Sequence, residues 1–202
     1  MSESGWREHV QEYIRAEASP VDKYGHQPRL YALASQLGEE LSYDDDVLFA
    51  ACWLHDLGVF LGHRPQDPEQ LKGWDHLPYT IERSRQLLAA WEFPEEKLES
   101  VAEAIRTHQA WDEPLEMAAV LLHDADILEQ LGAIGIMRAL AKVGRDTRFD
   151  RFTQVAQNLQ KAVNELPQRL RLNKSKELAA SRIELLRQFL LAAQAEAGNL
   201  LD

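Results

Sequence analysis

The stretch VLFAACWLHDLG, residues 47–58, decides how this chain folds. Its first eight residues are apolar and end at the pair His55–Asp56, and three aspartates at 44–46 precede them. Because aspartates favour a helix N-terminus by capping and through the helix dipole, we predict a buried helix that ends at this pair. A charged side chain buried without a partner is costly. A metal ion would satisfy both side chains at once, and a core histidine hydrogen-bonded to a neighbouring acid is the structural alternative.

The composition is that of an ordinary globular protein, with 202 residues of which 45% are hydrophobic and 27% charged. This length is sufficient for one domain with a full hydrophobic core. The single cysteine, Cys52, excludes a disulfide framework and argues against a cysteine-based zinc site. The formal net charge of −11 makes double-stranded nucleic acid a poor candidate partner.

No part of the sequence has the character of a membrane span or a secretion signal. A membrane-spanning helix needs about 20 apolar residues, and no segment approaches that length. The N-terminus, MSESGWRE, has neither the basic region nor the apolar core of a signal peptide. We therefore expect a cytoplasmic protein with no membrane partner.

Apolar residues recur with the helical period along the whole chain, and no segment alternates as a half-buried strand does. The first six predicted helices span residues 6–18, 24 or 28 to 38, 47 to the HDLG stretch at 55–58, 79–90, 94–108 and 116–131. Two more follow, one that ends at 166 and one over about 176–197. Residues 62–78, rich in Gly, Pro and Asp, and the polar residues 145–151 are predicted loops. The sequence therefore predicts an all-α fold.

Metal-capable side chains recur on the apolar surfaces of these predicted helices. They are His26, His55, Asp56, His108 and Asp126. In the helix that ends at His108, Val101, Ile105 and His108 fall at i, i+4 and i+7, which places His108 on the apolar face. One such histidine is usually structural, whereas several of them together with a buried aspartate indicate a metal site.

The order His26, His55–Asp56, Asp126 resembles the H…HD…D pattern of the HD-domain superfamily of metal-dependent phosphohydrolases. The stretch LLHDADIL at 121–128, followed by GAIGIMR at 132–138, is similar to the DAD-x-L…GAIGI-x-R signature of a bacterial subgroup of small, stand-alone HD hydrolases. Members of that subgroup resemble nucleoside-triphosphate pyrophosphohydrolases. The resemblance implies a metal-dependent phosphohydrolase that acts on a nucleotide or another small phosphate ester through a metal-activated water.

The same resemblance implies a domain organisation. We expect an all-α, single-domain HD-type helical bundle over residues 1–202. Its metal-site core would cover about residues 24–138, and the C-terminal helices at about 145–200 would pack on that core. The amphipathic last helix packs either within the chain or against a partner, so the sequence leaves an oligomer open.

The resemblance also implies a set of metal ligands. His26, His55 and Asp56 match the first three ligands of the family pattern. The last ligand of related enzymes is an aspartate in an A-D-x-L context, which in this chain is Asp126. Asp124 is the alternative, as a carboxylate that orients a ligand without binding the ion itself. Two imidazoles and two carboxylates suit one divalent transition-metal ion such as Mn²⁺, Fe²⁺, Ni²⁺ or Co²⁺.

Further residues are candidates for contact with phosphate. His76 and His108 would bind it or transfer protons as general acid or base, beside Asp56. Arg29, three residues after the first histidine ligand, lies on roughly the same helical face, where its guanidinium would hold a phosphate. A solvent-exposed arginine is the alternative for this position, and Lys23 is a second candidate of the same kind.

Two other functions stay open. With His76 and His108 included, the order resembles the six-ligand H…HD…H…H…D pattern of binuclear HD proteins, which would place two metal ions in the site. That group includes di-iron oxygenases and the HD-GYP cyclic-dinucleotide phosphodiesterases, and the lack of a GYP tripeptide argues against the latter. The other alternative is a non-enzymatic HD module that binds a ligand in the same pocket.

Overall fold

The computed structural model describes residues 5–20, 23–145, 149–198 and 200–202, and its regular structure there is almost entirely helical. The helices are α1 Gly5–Glu17, α2 His26–Gly38, α3 Asp45–Leu54, α4 Pro68–Lys72, α5 His76–Ala90, α6 Leu98–Arg106, α7 Met117–Glu129, α8 Gly132–Leu140, α9 Phe152–Glu165 and α10 Asn173–Ala197. Short 3-10 turns lie at Leu57–Val59, Glu95–Lys97 and Leu166–Arg169. Within these described ranges, β-structure is limited to one isolated bridge between Val143 and Phe149. The predicted all-α class is confirmed.

The chain divides into two compact units, residues 1–123 and 124–202. In the first unit, α1, α2 and α6 pack on α3, and α5 packs on α6. In the second unit, α8, α9 and α10 pack on one another. The single domain that we expect over the whole chain stays a prediction.

Helix α3 forms the centre of the first unit, where the apolar run predicts a buried helix. Asp44 caps it, because one oxygen of its carboxylate accepts from the N–H groups of Asp46 at 3.0 Å and Val47 at 3.3 Å. Every residue from 47 to 54 is buried. A helix that is apolar on all sides is stable only when other elements cover it. Its C-terminal end therefore brings His55 into the protein interior.

Helix α5 begins at His76, and not at residue 79 as the sequence predicts. Asp75 caps the helix, and its carboxylate accepts from the N–H of Leu77 at 3.0 Å. Pro78 lies in the first turn, where its missing N–H removes no bond within the helix. The predicted loop over 62–78 is thus too long, and His76 is the first residue of a helix.

Helix α8 is absent from the sequence prediction, because its two glycines weaken the helical pattern. Gly132, its first residue, has a φ of +70°, in the left-handed region that favours glycine. A Cβ on Gly135 would lie 2.2 Å from the carbonyl oxygen of Gln130. Glycine at these two positions therefore permits the close turn between α7 and α8.

Helix α10 is the longest described helix, with 25 residues, and most of its surface is exposed. Its buried residues are Ser175, Ala179 and Leu186, which form a narrow stripe. Neither α10 nor any other helix in the described residues is both long and apolar enough to cross a membrane.

Candidate metal centre

Four histidines and one aspartate meet in the first unit, each at or near the end of a helix. His26 is the first residue of α2, and His76 is the first residue of α5. His55 and Asp56 directly follow the last residue of α3, and His108 lies two residues after the end of α6. The structure thus brings together five of the side chains that the sequence singles out.

The first group consists of His26, His55 and Asp56. The Nε2 atoms of the two histidines lie 3.2 Å apart. Oδ2 of Asp56 is 3.9 Å from Nε2 of His26 and 3.7 Å from Nε2 of His55. Each residue therefore offers one ligand atom to the same small space, as a metal ion requires.

The second group consists of Asp56, His76 and His108, and it uses the other oxygen of the same carboxylate. Oδ1 of Asp56 is 3.8 Å from Nε2 of His76. The ring of His108 is also close to the first group, because its centroid is 4.9 Å from that of His55 and 6.1 Å from that of His76. Asp56 is thus common to two triads of metal-capable side chains.

Backbone carbonyl groups fix the tautomers of two of these histidines. Nδ1 of His55 donates to the carbonyl oxygen of Cys52 at 3.1 Å, and Nδ1 of His108 donates to that of Ile105 at 2.7 Å. Because a carbonyl oxygen only accepts, Nδ1 carries the hydrogen, and Nε2 of the neutral ring presents a lone pair. A second hydrogen bond of this kind is typical of histidines that ligate metals.

Burial and charge differ within the cluster. His26, His55 and His108 are buried. The side chains of Asp56 and His76 are 20% and 16% exposed, although Nε2 of His76 is buried. Burial raises the pKa of Asp56, but the positive charge of the surrounding histidines when they are protonated, His55 foremost, outweighs this effect and holds the pKa well below the ordinary value. The carboxylate is therefore ionised at neutral pH.

This donor set fits a divalent metal ion. Two nitrogen ligands, each about 2.1 Å from one ion and at right angles to each other, are about 3 Å apart. The 3.2 Å between Nε2 of His26 and Nε2 of His55 is close to this value. Imidazole nitrogens with an ionised carboxylate suit Mn²⁺, Fe²⁺, Co²⁺, Ni²⁺ or Zn²⁺. The residues present are consistent with the predicted cofactor.

Asp126, the predicted fourth ligand, belongs to α7 and to the second unit. Its Oδ2 accepts from Nε2 of Gln130 at 3.1 Å, and its Oδ1 is 3.9 Å from Nη1 of Arg138. Arg138 also lies 3.7 Å from Oε2 of Glu129. The assignment of Asp126 as a ligand stays a prediction.

Asp124 has a defined contact within the second unit. It is fully buried, and its carboxylate accepts from the backbone N–H groups of Arg171 and Leu172, each at 2.9 Å. These amides immediately precede α10, so the carboxylate satisfies donors at a helix start. Its predicted role in orienting a metal ligand stays a prediction.

The two candidate phosphate-binding cations lie near the start of α2. Arg29 is exposed, and its side chain turns back along the helix, since a Cβ on Gly25 would lie 2.7 Å from Nη1 of Arg29. Lys23 precedes His26 by three residues and is half-buried. Both cations are therefore close in sequence to the first histidine, and their contact with phosphate stays a prediction.

Three residues that the sequence patterns do not single out, Gly58, Trp74 and Thr80, attach the segment that carries His76 to the rest of the site. The N–H of Gly58 donates to Oγ1 of Thr80 at 3.0 Å. The carbonyl oxygen of Gly58 accepts from Nε1 of Trp74 at 2.9 Å. The spacing of Thr80, four residues after His76 in a helix, is the one sequence signal that links it to the site.

The chain matches a family described as HD domain over residues 24–131, more than half of its length. A curated relative from Clostridium beijerinckii, named only as an uncharacterized protein, is 27% identical over 95 residues. That alignment spans 47% of this chain and 55% of the relative, so the chain covers about half the length of this relative.

Solved structures share the fold. YpgQ of Bacillus subtilis matches with a TM-score of 0.74 at 19% identity, over 99% of this chain and 100% of YpgQ. YpgQ in complex with ADP gives a TM-score of 0.70 at 19% identity, over 96% and 99%. An HD-superfamily hydrolase of Bacillus thuringiensis gives 0.67 at 20% identity, over 96% and 97%. At these identities the likeness shows the fold alone.

Proposed function

This chain belongs to the HD domain family, and on that basis we propose that it is a metal-dependent phosphohydrolase acting on a nucleotide or another small phosphate ester. One observation carries the proposal. The carboxylate of Asp56 lies at the centre of the histidine cluster, with Oδ2 near His55 and Oδ1 near His76. Two triads of metal-capable side chains thus meet at one ionised carboxylate.

In this proposal His26, His55 and Asp56 hold one divalent ion, and Asp126 is the fourth ligand. The bond from His55 Nδ1 to a backbone carbonyl supports this role, because it leaves the Nε2 lone pair directed into the cluster. When bound, the ion supplies charge that neutralises a phosphate and lowers the pKa of a bound water. Mn²⁺, Fe²⁺, Ni²⁺ and Co²⁺ all suit these ligands.

In this proposal His76 and His108 contact the phosphate from the other side of Asp56. The side chain of His76 is 16% exposed, and its buried Nε2 lies 3.8 Å from Oδ1 of Asp56, next to the proposed metal ligands. A neutral imidazole accepts a proton from the attacking water, and a protonated one donates to the leaving group. Arg29 and Lys23 add positive charge near the start of α2. In this proposal the guanidinium of Arg29 binds two phosphate oxygens at once.

A nucleotide is the first substrate class to test, because YpgQ, which shares the fold, has been solved in complex with ADP. Metal analysis of the purified protein, followed by phosphate-release assays over nucleoside mono-, di- and triphosphates with Mn²⁺, tests the proposal. Asp56→Asn removes the shared charge while it keeps the side-chain size. Asp67→Asn, at the exposed cap of α4, makes the same change away from the site.

We expect D56N to lose the metal and to release phosphate at least about a hundredfold more slowly, since a bound ion contributes several kcal/mol to the transition state. D67N should behave as the wild type. A protein that holds no metal, with equal phosphate release by D56N and the wild type, would overturn the proposal. Tight nucleotide binding without turnover would favour the non-enzymatic module.

A di-iron oxygenase is the second candidate, and the two triads that share Asp56 favour it. Here His26 and His55 hold one iron, and His76 and His108 hold the other. This function requires two irons per chain and consumption of O₂. A content of one metal ion per chain, or no uptake of O₂ by the iron-loaded protein, rules it out.

A further inference from the structure

The turn that follows Asp56 is attached through the N–H and the carbonyl group of Gly58 to α5 and to the segment just before it. Its N–H donates to Oγ1 of Thr80 at 3.0 Å, and its carbonyl oxygen accepts from the indole Nε1 of Trp74 at 2.9 Å. We call Gly58, Trp74 and Thr80 the glycine clasp. Trp74 precedes His76 by two residues and Thr80 follows it by four, so the clasp holds the segment on both sides of His76.

The clasp depends on the absence of a side chain at residue 58. A Cβ there would lie 2.8 Å from Oγ1 of Thr80, 2.9 Å from the carbonyl oxygen of His76 and 3.0 Å from Cβ of His76. These separations are shorter than normal contacts, so only glycine lets the two backbones approach this closely. Gly58 and Thr80 are both buried, and a donor or acceptor left unpaired there would be costly.

The same face of α5 carries both the clasp and a residue of the site. His76 and Thr80 are four residues apart in the helix and therefore lie on one side of it. Along this side, Nε2 of His76 is 3.8 Å from Oδ1 of Asp56, and Oγ1 of Thr80 is 3.0 Å from the nitrogen of Gly58. A shift of α5 that lengthens the Thr80 bond also moves His76 relative to Asp56.

We propose that Thr80 is a positioning residue of the candidate site: through Gly58, its hydroxyl sets His76 at its distance from Asp56. Trp74 supplies the second attachment point, at the start of α5. This inference rests on the proposed function, because it assumes that His76 acts on the phosphate. The hydroxyl of Thr80 accepts from Gly58, which is not one of the proposed metal ligands.

The test compares variants that differ by one hydrogen bond. Thr80→Val keeps the shape and removes the hydroxyl, whereas Thr80→Ser keeps the hydroxyl. Ser84→Ala is the matched control, because Ser84 is buried one turn further along α5 and its hydroxyl makes no hydrogen bond within the part of the chain that the structure describes. His76→Ala gives the effect of losing the positioned group itself.

The readouts are Mn²⁺ binding and the binding of inorganic phosphate to the Mn²⁺-loaded protein, both by calorimetry. We expect T80V to bind phosphate about tenfold more weakly, in the range that groups supporting a metal site contribute. T80S should restore the wild-type affinity, and S84A should keep it. A crystal structure of T80V should show His76 further from Asp56.

Phosphate binding by T80V that equals the wild type overturns the positioning role of Thr80. The H76A variant shows whether the failure extends to the proposed function. If H76A binds phosphate weakly, only the positioning role of Thr80 is wrong. If H76A binds phosphate as the wild type does, the proposed role of His76 is wrong too. Thr80→Ala also removes the hydroxyl and replaces T80V if that variant does not fold. Unchanged phosphate binding by T80A then overturns the proposal.

Discussion

Nε2 of His26 faces Nε2 of His55 at 3.2 Å, and Oδ2 of Asp56 lies 3.9 Å and 3.7 Å from these atoms. Nδ1 of His55 donates to the backbone, so its Nε2 presents a lone pair to this space. Nitrogen lone pairs beside a carboxylate favour a positive charge between them. The stability of the protein should therefore depend on the ion that this space holds.

Metal binding should stabilise the folded protein by an amount that grows with the logarithm of the ratio of the free metal concentration to Kd. At a hundredfold excess over its Kd, Mn²⁺ should raise the free energy of unfolding by about 2.7 kcal/mol, and EDTA should remove this gain. His26→Gln should lose most of the Mn²⁺ effect, and His9→Gln, at an exposed position of α1, should keep it. Thermal unfolding with and without Mn²⁺ measures the difference. An equal Mn²⁺ effect in H26Q and the wild type would show that His26 is not a ligand.

Loss of His76 should separate catalysis from metal binding. In the proposed function His76→Gln keeps one Mn²⁺ per chain, while phosphate release falls about a hundred- to ten-thousandfold, as when a general acid or base is removed. Metal analysis and steady-state kinetics on the same preparation check both numbers, with H9Q as the control. Unchanged kinetics would argue against any role of His76, and the loss of a second metal ion in H76Q would support the two-metal alternative.

The apolar run and the helical spacing of the sequence were sufficient to single out His55 and His108, whereas His76, in a predicted loop, was indicated only by the resemblance to the six-ligand pattern. His55 follows the apolar run of α3, and His108 continues the apolar face of α6. Both side chains were therefore expected to lie next to the hydrophobic core. The clasp between Gly58 and Thr80 was not predictable in this way. Its two residues are 22 positions apart, and only the packing of α5 brings them together.

Local rules misled the prediction where proline and glycine were read as breaks. Pro78 suggested a loop, yet proline is compatible with the first turn of a helix, and α5 begins two residues before it. Gly132 and Gly135 concealed α8 because glycine weakens a helix, although both positions require glycine for a close turn. Close backbone packing outweighs propensity at α8, whereas at α5 the position of the proline in the first turn is what makes it compatible with the helix.

Substitution of two glycines should separate backbone strain from steric overlap. Gly132 and Gly144 have φ values of +70° and +67°. A Cβ on Gly132 would lie 3.1 Å from Cβ of Arg182, whereas among the described residues nothing lies within 4 Å of one on Gly144. Gly144→Ala should cost about 1–2 kcal/mol from strain alone, and Gly132→Ala about 1 kcal/mol more. Urea unfolding compares them, and equal costs would show that Arg182 moves aside freely.

An ion-pair cluster at the start of α3 should make stability fall in acid. Burial raises the pKa of Asp46, but hydrogen bonds from Arg7 at 2.6 Å and Lys97 at 2.8 Å outweigh it, so the pKa lies below its ordinary value of 3.8. Because the pKa of Asp46 is lower in the folded state, its charge contributes stability that is present above pH 3.8 and lost as the pH falls through the folded-state pKa.

Asp46→Asn should therefore lower the free energy of unfolding by about 1 kcal/mol at pH 7, and by less as the pH falls below 4. Urea unfolding of D46N and of Glu82→Gln, a charge loss outside this cluster, checks this at pH 7 and 3. A cost for D46N that is independent of pH would mean that the charge of Asp46 contributes nothing.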